Sequence, residues 1–223
     1  MNVTLSRTGF SLYSFFLIVI SSLITVLYYH LFIFNTFSTN GEKNQTFKKV
    51  SVEEVINSPI QKDNSIIEVI SYGCHYCAAN EDNVSEISRS LPLGSSFEKI
   101  HIVDNKSALA SYAPIFATLT EMGVEEKYRD SAYNAIIIRN IDLTDEKLLT
   151  SWLEKNNINT AEYKSASQSD AVKKRLAYMA EVTKHYDIKA TPMFIINKRY
   201  VVAQDREFPE FSEYILELFT EGK

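Results

Sequence analysis

The sequence has few of the residues that build disulfide-rich, flexible or nucleic-acid-binding proteins. Of 223 residues, two are cysteine, six are glycine and five are proline. Two cysteines are too few for a secreted scaffold held by several disulfides, and structural zinc usually needs four ligands. The scarcity of glycine and proline argues against long flexible linkers. With 28 acidic against 23 basic residues, the chain is a poor candidate for binding nucleic acid.

A long run near the start of the chain has no charged residue. Residues 10–34 contain no Lys, Arg, Asp or Glu, and as a helix they would exceed the roughly 30 Å hydrocarbon core of a bilayer. The run is longer than the apolar part of a cleaved signal peptide and no small-residue cleavage pattern follows, although a signal sequence stays the alternative. We therefore predict an N-terminal tail over 1–9, one transmembrane anchor over 10–34 and a polar tether over 35–45.

The rest of the chain, 46–223, has the composition of a folded domain, and hydrophobic residues make up 45% of the whole sequence. A β-branched apolar run over 65–72 predicts a buried strand, and alternation over 97–103 predicts a second one. A hairpin is predicted over 193–203. From about 106 to 188 the pattern is helical. The sequence therefore predicts an α/β fold with an inserted helical segment.

The two cysteines lie three residues apart, where the first predicted strand gives way to a helix. Unpaired amide groups and the positive end of the helix dipole favour a thiolate there, and the thiolate is the species that attacks disulfides. Cys77, one turn after Cys74, is close enough to release a bound partner. Two ordinary buried cysteines are one alternative. A zinc site formed by Cys74, His75 and Cys77, with His101 or His185 as fourth ligand, is another.

A second feature is the dipeptide Thr191-Pro192, which stands just before the apolar run 193–196. Proline cannot donate a hydrogen bond and suits the first position of a strand. If the peptide bond is cis, the preceding backbone stays free to pair with a bound peptide. Alone, this dipeptide is more typical of a plain turn. Together with the cysteine pair, it indicates a substrate-binding position.

From about Thr46 to the C terminus, the sequence resembles the DsbA family of thioredoxin-fold enzymes. The matching segments are IIEVISYGCHYC (66–77), LPLG (91–94), the helical insert and ATPMFIINKRYVV (190–202). The resemblance implies a thioredoxin fold with an inserted helical domain, a nucleophilic Cys74, a resolving Cys77 and a cis Pro192 that helps to bind substrate. It also implies no metal and no cofactor other than the redox-active disulfide Cys74–Cys77.

Three further residues are candidates for the site. Glu68 lies in the apolar strand, where an unpaired carboxylate costs several kcal/mol. The family has a buried acid at this position, so we predict that Glu68 assists proton transfer to or from Cys77, the alternative being an exposed residue on an edge strand. Between the cysteines this sequence has His75 and Tyr76 where the best-known oxidase of the family has Pro-His. His75 is a candidate to stabilise the thiolate, and Tyr76 to contact substrate.

The function that these features predict is thiol:disulfide exchange, with oxidation of newly exported, cysteine-containing proteins as the first interpretation. The family implies a DsbB-like, quinone-linked membrane partner that reoxidises the site. We expect a monomer held at the inner membrane by its anchor, with the catalytic domain in the periplasm or another extracytoplasmic space. A reductase or isomerase of the same fold is the second interpretation, although the tether is too short for a dimerisation segment. A non-catalytic binding or chaperone module is the third.

Overall fold

A computed structural model describes residues 7–28, 46–104 and 107–221 of the chain. The chain divides into two compact units, 1–44 and 45–223.

The described part of the first unit is helix α1 (Arg7–Tyr28). This helix begins within the predicted tail and includes most of the predicted anchor. Residues 1–6, the end of the anchor at 29–34 and the tether at 35–45 lie outside the described residues. Among the residues that the structure describes, no helix has both the length and the apolar character needed to cross a membrane.

The second unit is built on a mixed β-sheet formed by the segments predicted as strands over 65–72, 97–103 and 193–203, with one further short strand at its edge. Its described strands are β1 (Phe47–Lys49), β2 (Ser65–Ile70), β3 (Ser96–His101), β4 (Met193–Ile196) and β5 (Tyr200–Ala203). Their order is β1-β5-β4-β2-β3, in which β2 and β3 are parallel and the other neighbours are antiparallel. β2 lies between β4 and β3, and every one of its residues is buried. The end of β2 that leads into the cysteines is therefore held on both sides.

Helices lie between β1 and β2, follow the cysteines, fill the connection from β3 to β4 and close the chain. They are α2 (Val52–Ile56), α3 (His75–Ala79), α4 (Glu81–Ser90), α5 (Ala113–Glu121), α6 (Glu125–Tyr133), α7 (Glu146–Lys155), α8 (Thr160–Ser167), α9 (Asp170–His185) and α10 (Glu210–Glu221). A 3-10 turn at Ala108–Ala110 and a π-helical turn at Asn134–Ile138 complete the described helical structure.

Short polar side chains set the starts of several helices. Ser51 forms a capping box with Glu54 at the start of α2, and the three-residue spacing of serine and glutamate is the local pattern typical of this motif. The side chains of Asp145 and Ser169 accept hydrogen bonds from backbone N–H groups at the starts of α7 and α9, respectively. The single helix expected after the cysteines is instead divided into α3 and α4, because the backbone of Asn80 departs from helical geometry between them.

Ile67 and Val69 of β2 contribute to one hydrophobic cluster and Ile66 to another, as expected of a strand whose side chains point in turn to opposite faces, and Ile70 at the end of the strand joins the first cluster. The first cluster joins β2 and β3 to the helical insert and includes Ile67, Val69, Ile100, Phe116 and Met179. The second joins β4 and β5 to α4 and α10 and includes Ile66, Val84, Phe194, Phe211 and Ile215. Burial of such side chains contributes about 1.5–3 kcal/mol each. Both faces of the sheet are thus covered, and the turn after β2 is held between packed layers.

Candidate active site

The cysteine pair lies where β2 gives way to α3. Cys74 and Cys77 form a disulfide with their Cα atoms 5.3 Å apart. Cys74 is the N-cap of α3, and its Sγ accepts a hydrogen bond of 3.0 Å from the backbone N–H of Cys77. Such a donor stabilises a thiolate more than a thiol. Cys74 is 6% exposed and Cys77 1%, so an attacking group reaches Cys74 more easily.

Ser71 fixes the turn that leads to Cys74. Its hydroxyl donates to the carbonyl oxygen of Leu109 at 2.6 Å and accepts from the N–H of Gly73 at 3.1 Å. Its own carbonyl oxygen accepts from the N–H of Cys74 at 2.9 Å. Because Leu109 belongs to the 3-10 turn of the helical insert, Ser71 connects the redox turn to that insert.

The two residues between the cysteines lie at the surface. His75 is exposed, and Tyr76 has 72% of its surface exposed. Neither side chain is needed for packing, so both are available to an approaching polypeptide.

Glu68 is buried, with 1% of its surface exposed. The interpretation of Glu68 as an exposed residue on an edge strand is wrong, since β2 lies between β4 and β3. The parallel register places Lys99 of β3 opposite Glu68, and the two side chains form an ion pair of 2.5 Å. Burial raises the pKa of Glu68, and this effect outweighs the opposite effect of Lys99. The carboxyl group is therefore suited to hold a proton and release it.

The ion pair belongs to a larger group that we term the buried charged cluster, which comprises Glu68, Glu81, Lys99, Glu125 and Arg129. Lys99 contacts Glu81 at 3.1 Å, and Arg129 joins Glu81, also at 3.1 Å, to Glu125. Three carboxyl groups share two cations, so full ionisation would leave one negative charge uncompensated in a low dielectric. The cluster therefore favours retention of one proton.

Tyrosine hydroxyls connect this cluster to the redox turn. Tyr72, two residues before Cys74, donates to Glu125 at 2.9 Å, and Tyr133 donates to Glu81 at 3.3 Å. Burial, followed by the charge of Glu125, raises the pKa of Tyr72. Its hydroxyl therefore stays a hydrogen-bond donor across the physiological range.

The peptide bond between Thr191 and Pro192 is cis, as the family resemblance implies. Pro192 is buried, and β4 begins at the next residue. The Thr191 hydroxyl is buried and has no hydrogen-bond partner among the described residues. A second cis bond, Phe208–Pro209, was not predicted from the sequence.

A cleft of about 480 Å³ brings Tyr76 together with Thr191 and Pro192. Its other lining residues are Ala190, Met193, Ala203, Gln204, Asp205, Arg206 and Glu207. Asn80 donates to the side-chain oxygen of Gln204 at 3.1 Å, which ties the junction of α3 and α4 to the cleft wall. The cleft is large enough for a few residues of an extended chain.

The histidines considered as a fourth zinc ligand have other partners. His101 uses both ring nitrogens, with the N–H of Tyr72 and the carbonyl oxygen of Ile102. His185 contacts the carbonyl oxygen of Glu54 through Nε2 at 2.8 Å. In the part of the chain that the structure describes, no group of His, Cys, Asp and Glu side chains is arranged to hold a metal ion.

Several residues of the site were not identified from the sequence. Glu81 lies four residues after Cys77, a helical spacing that could have indicated a shared face. Lys99 stands at an inward position of β3, where a cation opposite Glu68 could have been expected. Nothing in the sequence connects Glu125 or Arg129 to the cysteines, because the contact depends on how the helical insert packs.

These features define a thioredoxin-like domain with an inserted helical segment and a disulfide at the start of a helix. The model of the DSBA-like thioredoxin domain family matches residues 93–215. The chain belongs to this family, which confirms the resemblance drawn from the sequence. The matched range begins after the cysteines, so the geometry of the turn around Cys74 and Cys77 is a separate observation in favour of the family assignment.

Named relatives and solved structures agree with this assignment. The thiol:disulfide interchange protein DsbA of Pseudomonas syringae pv. tomato is 28% identical over 135 residues, which are 60% of this chain and 63% of that protein. The protein of the same name from Pseudomonas aeruginosa PAO1 is 22% identical over 60% of this chain and 64% of its own length. The matches thus span less than two thirds of these relatives.

Among solved structures, Pseudomonas aeruginosa DsbA has a TM-score of 0.67 at 20% identity, covering 79% of this chain and 91% of that one. The oxidoreductase NmDsbA1 of Neisseria meningitidis has a TM-score of 0.64 at 19% identity, covering 81% and 93%. These likenesses confirm the thioredoxin-like fold with inserted helices that the sequence predicts.

Proposed function

We propose that this protein is a thiol:disulfide oxidoreductase that acts on cysteine-containing polypeptides, with Cys74 as the attacked and attacking sulfur and Cys77 as the resolving one. The observation that carries the proposal is the disulfide at the start of α3, with the N–H of Cys77 directed at the Sγ of Cys74. The relatives named thiol:disulfide interchange protein support the same reaction.

In the oxidising direction, a substrate thiolate attacks the Sγ of Cys74. The bond between Cys74 and Cys77 breaks, a mixed disulfide forms, and Cys77 leaves as a thiolate that takes up a proton. A second substrate thiolate then attacks the substrate sulfur of the mixed disulfide. Cys74 leaves as a thiolate that the N–H of Cys77 stabilises. The substrate loses two electrons, and the protein disulfide gains them.

Glu68 is proposed to supply the proton that Cys77 takes up and to accept it again when the disulfide re-forms. Its burial and its raised pKa support this role. The hydrogen bond to Lys99 holds the carboxyl group in place between the two strands. His75, exposed between the cysteines, is proposed to help stabilise the Cys74 thiolate.

Substrate is proposed to bind in the cleft that contains Tyr76, Thr191 and Pro192. The backbone at Thr191 precedes β4 and could form hydrogen bonds with an extended peptide, as in peptide recognition by β-strand addition. Tyr76 offers an exposed aromatic ring at the same cleft, next to the disulfide.

The direction proposed is oxidation of newly exported proteins, with reoxidation by a DsbB-like, quinone-linked membrane partner. We further propose that the protein is a monomer attached to the inner membrane through residues 10–34, with the catalytic domain in the periplasm. The uncharged run in the sequence supports this attachment. Extraction of the full chain from cell membranes by alkaline carbonate, rather than only by detergent, would contradict the anchor.

The test of the reaction is oxidative refolding of a reduced, disulfide-containing protein by the oxidised full chain. We expect wild-type protein to transfer its disulfide, Cys74→Ser to be inactive, and Cys77→Ser to accumulate a mixed disulfide. Undiminished transfer by Cys74→Ser would refute the enzyme and favour a non-catalytic binding module. The redox state of the cysteines in intact cells separates the oxidase from a reductase or isomerase, because only the oxidase is kept mainly as the disulfide.

A further inference from the structure

The imidazole of His101 lies between the ends of β2 and β3. The N–H of Ile102 donates to the carbonyl oxygen of Ile70 at 2.8 Å, so a continued parallel ladder would next pair the N–H of Tyr72 with the carbonyl oxygen of Ile102. Instead, the N–H of Tyr72 donates to His101 Nε2 at 3.1 Å, and His101 Nδ1 is 2.9 Å from the oxygen of Ile102. The ring thus bridges two backbone groups that would otherwise bond directly.

These two partners determine the tautomer of His101. A backbone N–H can only donate, so Nε2 must present its lone pair to Tyr72. A carbonyl oxygen can only accept, so Nδ1 must carry the hydrogen that it gives to Ile102. Only the neutral ring with its hydrogen on Nδ1 satisfies both groups. Burial agrees with this state, since it lowers the pKa of His101 to about 4.

The bridge formed by His101 is one of three hydrogen bonds that hold the backbone of the turn leading to Cys74. The N–H of Tyr72 is held by His101, the N–H of Gly73 by the hydroxyl of Ser71, and the N–H of Cys74 by the carbonyl oxygen of Ser71. Three consecutive amides before α3 are therefore occupied. The N–H of Cys77 is left to serve the Sγ of Cys74.

We propose that His101 is a positioning residue of the redox site, whose ring separates the ends of β2 and β3 and fixes the backbone from which Cys74 begins α3. The ring is held by packing as well as by hydrogen bonds. Its centroid lies 5.6 Å from that of Tyr72 and 5.8 Å from that of Phe116, and the backbone N–H of His101 donates to the sulfur of Met179 at 3.4 Å. This role rests on the proposed thiol:disulfide function.

The test compares His101→Leu with His101→Gln in the reduced full-length protein. Leucine keeps an apolar side chain of similar size but offers no acceptor, whereas glutamine can place an amide oxygen near the position of Nε2. Val182→Ala serves as a packing control, because Val182 is buried in the same hydrophobic cluster. The measurements are the titration of the Cys74 thiolate by its ultraviolet absorbance and the rate of attack on a small aromatic disulfide.

We expect His101→Leu to slow the attack by about threefold to tenfold and to raise the pKa of Cys74, as the loss of one buried hydrogen bond predicts. His101→Gln should recover most of the rate. Val182→Ala should lower stability while leaving the titration of Cys74 in place. Wild-type chemistry in His101→Leu, or equal losses in the leucine and glutamine variants, would overturn the proposal.

If the leucine variant does not fold, His101→Asn takes its place, because asparagine is too short to present an acceptor to Tyr72. The asparagine variant is then expected to attack the disulfide more slowly than His101→Gln, and equal rates in the two variants would refute the role. The titration of Cys74 needs no protein substrate. Failure of wild-type protein to oxidise any polypeptide would therefore refute the proposed function without deciding the role of His101.

Discussion

Glu68 and Lys99 face each other across the parallel strands β2 and β3 and form a buried ion pair six residues before the first cysteine. The carboxyl is 1% exposed, yet it shares its cation with Glu81, which also contacts Arg129. β2 thus contributes both apolar side chains of the hydrophobic core and a buried titratable side chain, that of Glu68. The pair thus joins the two strands, and its carboxyl is the group proposed to exchange a proton with Cys77.

Replacement of Lys99 by methionine removes the cation nearest to Glu68 while keeping the length of the side chain. Because an uncompensated carboxylate is left in the core, we expect the free energy of unfolding at neutral pH to fall by about 3 kcal/mol. The measurement is equilibrium unfolding in urea.

Two control variants separate charge from packing in this experiment. The double variant Glu68→Gln with Lys99→Met should recover much of the loss, since it restores the wild-type excess of one carboxyl group over the cations and leaves Arg129 in contact with Glu81 and Glu125. Lys173→Met, which removes a cation from an exposed pair with Asp170, should change stability little. A loss in the double variant as large as in Lys99→Met would show that packing, and not charge, is responsible.

Glu68→Gln tests the proposed proton transfer between Glu68 and Cys77. Glutamine keeps the shape of the side chain but cannot hold or release a proton, so the rate of thiol:disulfide exchange should lose part of its dependence on pH near neutrality. The measurement is the exchange rate with a reduced peptide across a pH series. Tyr133→Phe, which removes a hydroxyl from Glu81 but no titrating carboxyl, is the control. An unaltered dependence of the exchange rate on pH in Glu68→Gln would exclude this proton transfer.

The sequence was sufficient for the elements whose physics is local. The apolar run of β2, the capping box at Ser51 and the hairpin around Asn197-Lys198 depend on neighbouring residues, and the structure contains all of them. The cysteine pair and the proline before β4 could likewise be identified, because each carries its own chemical signature.

The remaining contacts of the site depend on tertiary packing. Arg129 reaches Glu81 only because the fold brings α6 of the insert within side-chain reach of α4, and no spacing in the chain encodes that approach. The imidazole of His101 takes the place of a ladder bond because two strands diverge there. Arg129 has no distinguishing feature in the sequence, and His101 was considered there only as a possible fourth ligand of a zinc ion.

The buried His101 should make the fold sensitive to acid. Its pKa is about 4 in the folded protein, against an ordinary value of 6.5. Between these values the unfolded chain binds a proton that the folded protein does not, so stability falls as the pH decreases from about 6.5 to 4. Over the whole interval this amounts to about 3 kcal/mol. Urea unfolding at intermediate pH values measures the slope, and His101→Gln should reduce it. A slope that is the same in both proteins would contradict this prediction.

Thr191→Val should stabilise the folded protein, because the hydroxyl of Thr191 is buried without a partner among the described residues. Valine has the same shape and removes a group whose burial is unfavourable, for an expected gain of about 1 kcal/mol. Thr183→Val is the matched control. Thr183 is also buried, but its hydroxyl accepts the N–H of Val103 at 3.2 Å, so valine should destabilise there by a similar amount. Thermal unfolding of the two oxidised variants measures both changes, and a loss of stability in Thr191→Val would show that the hydroxyl has a partner in solution.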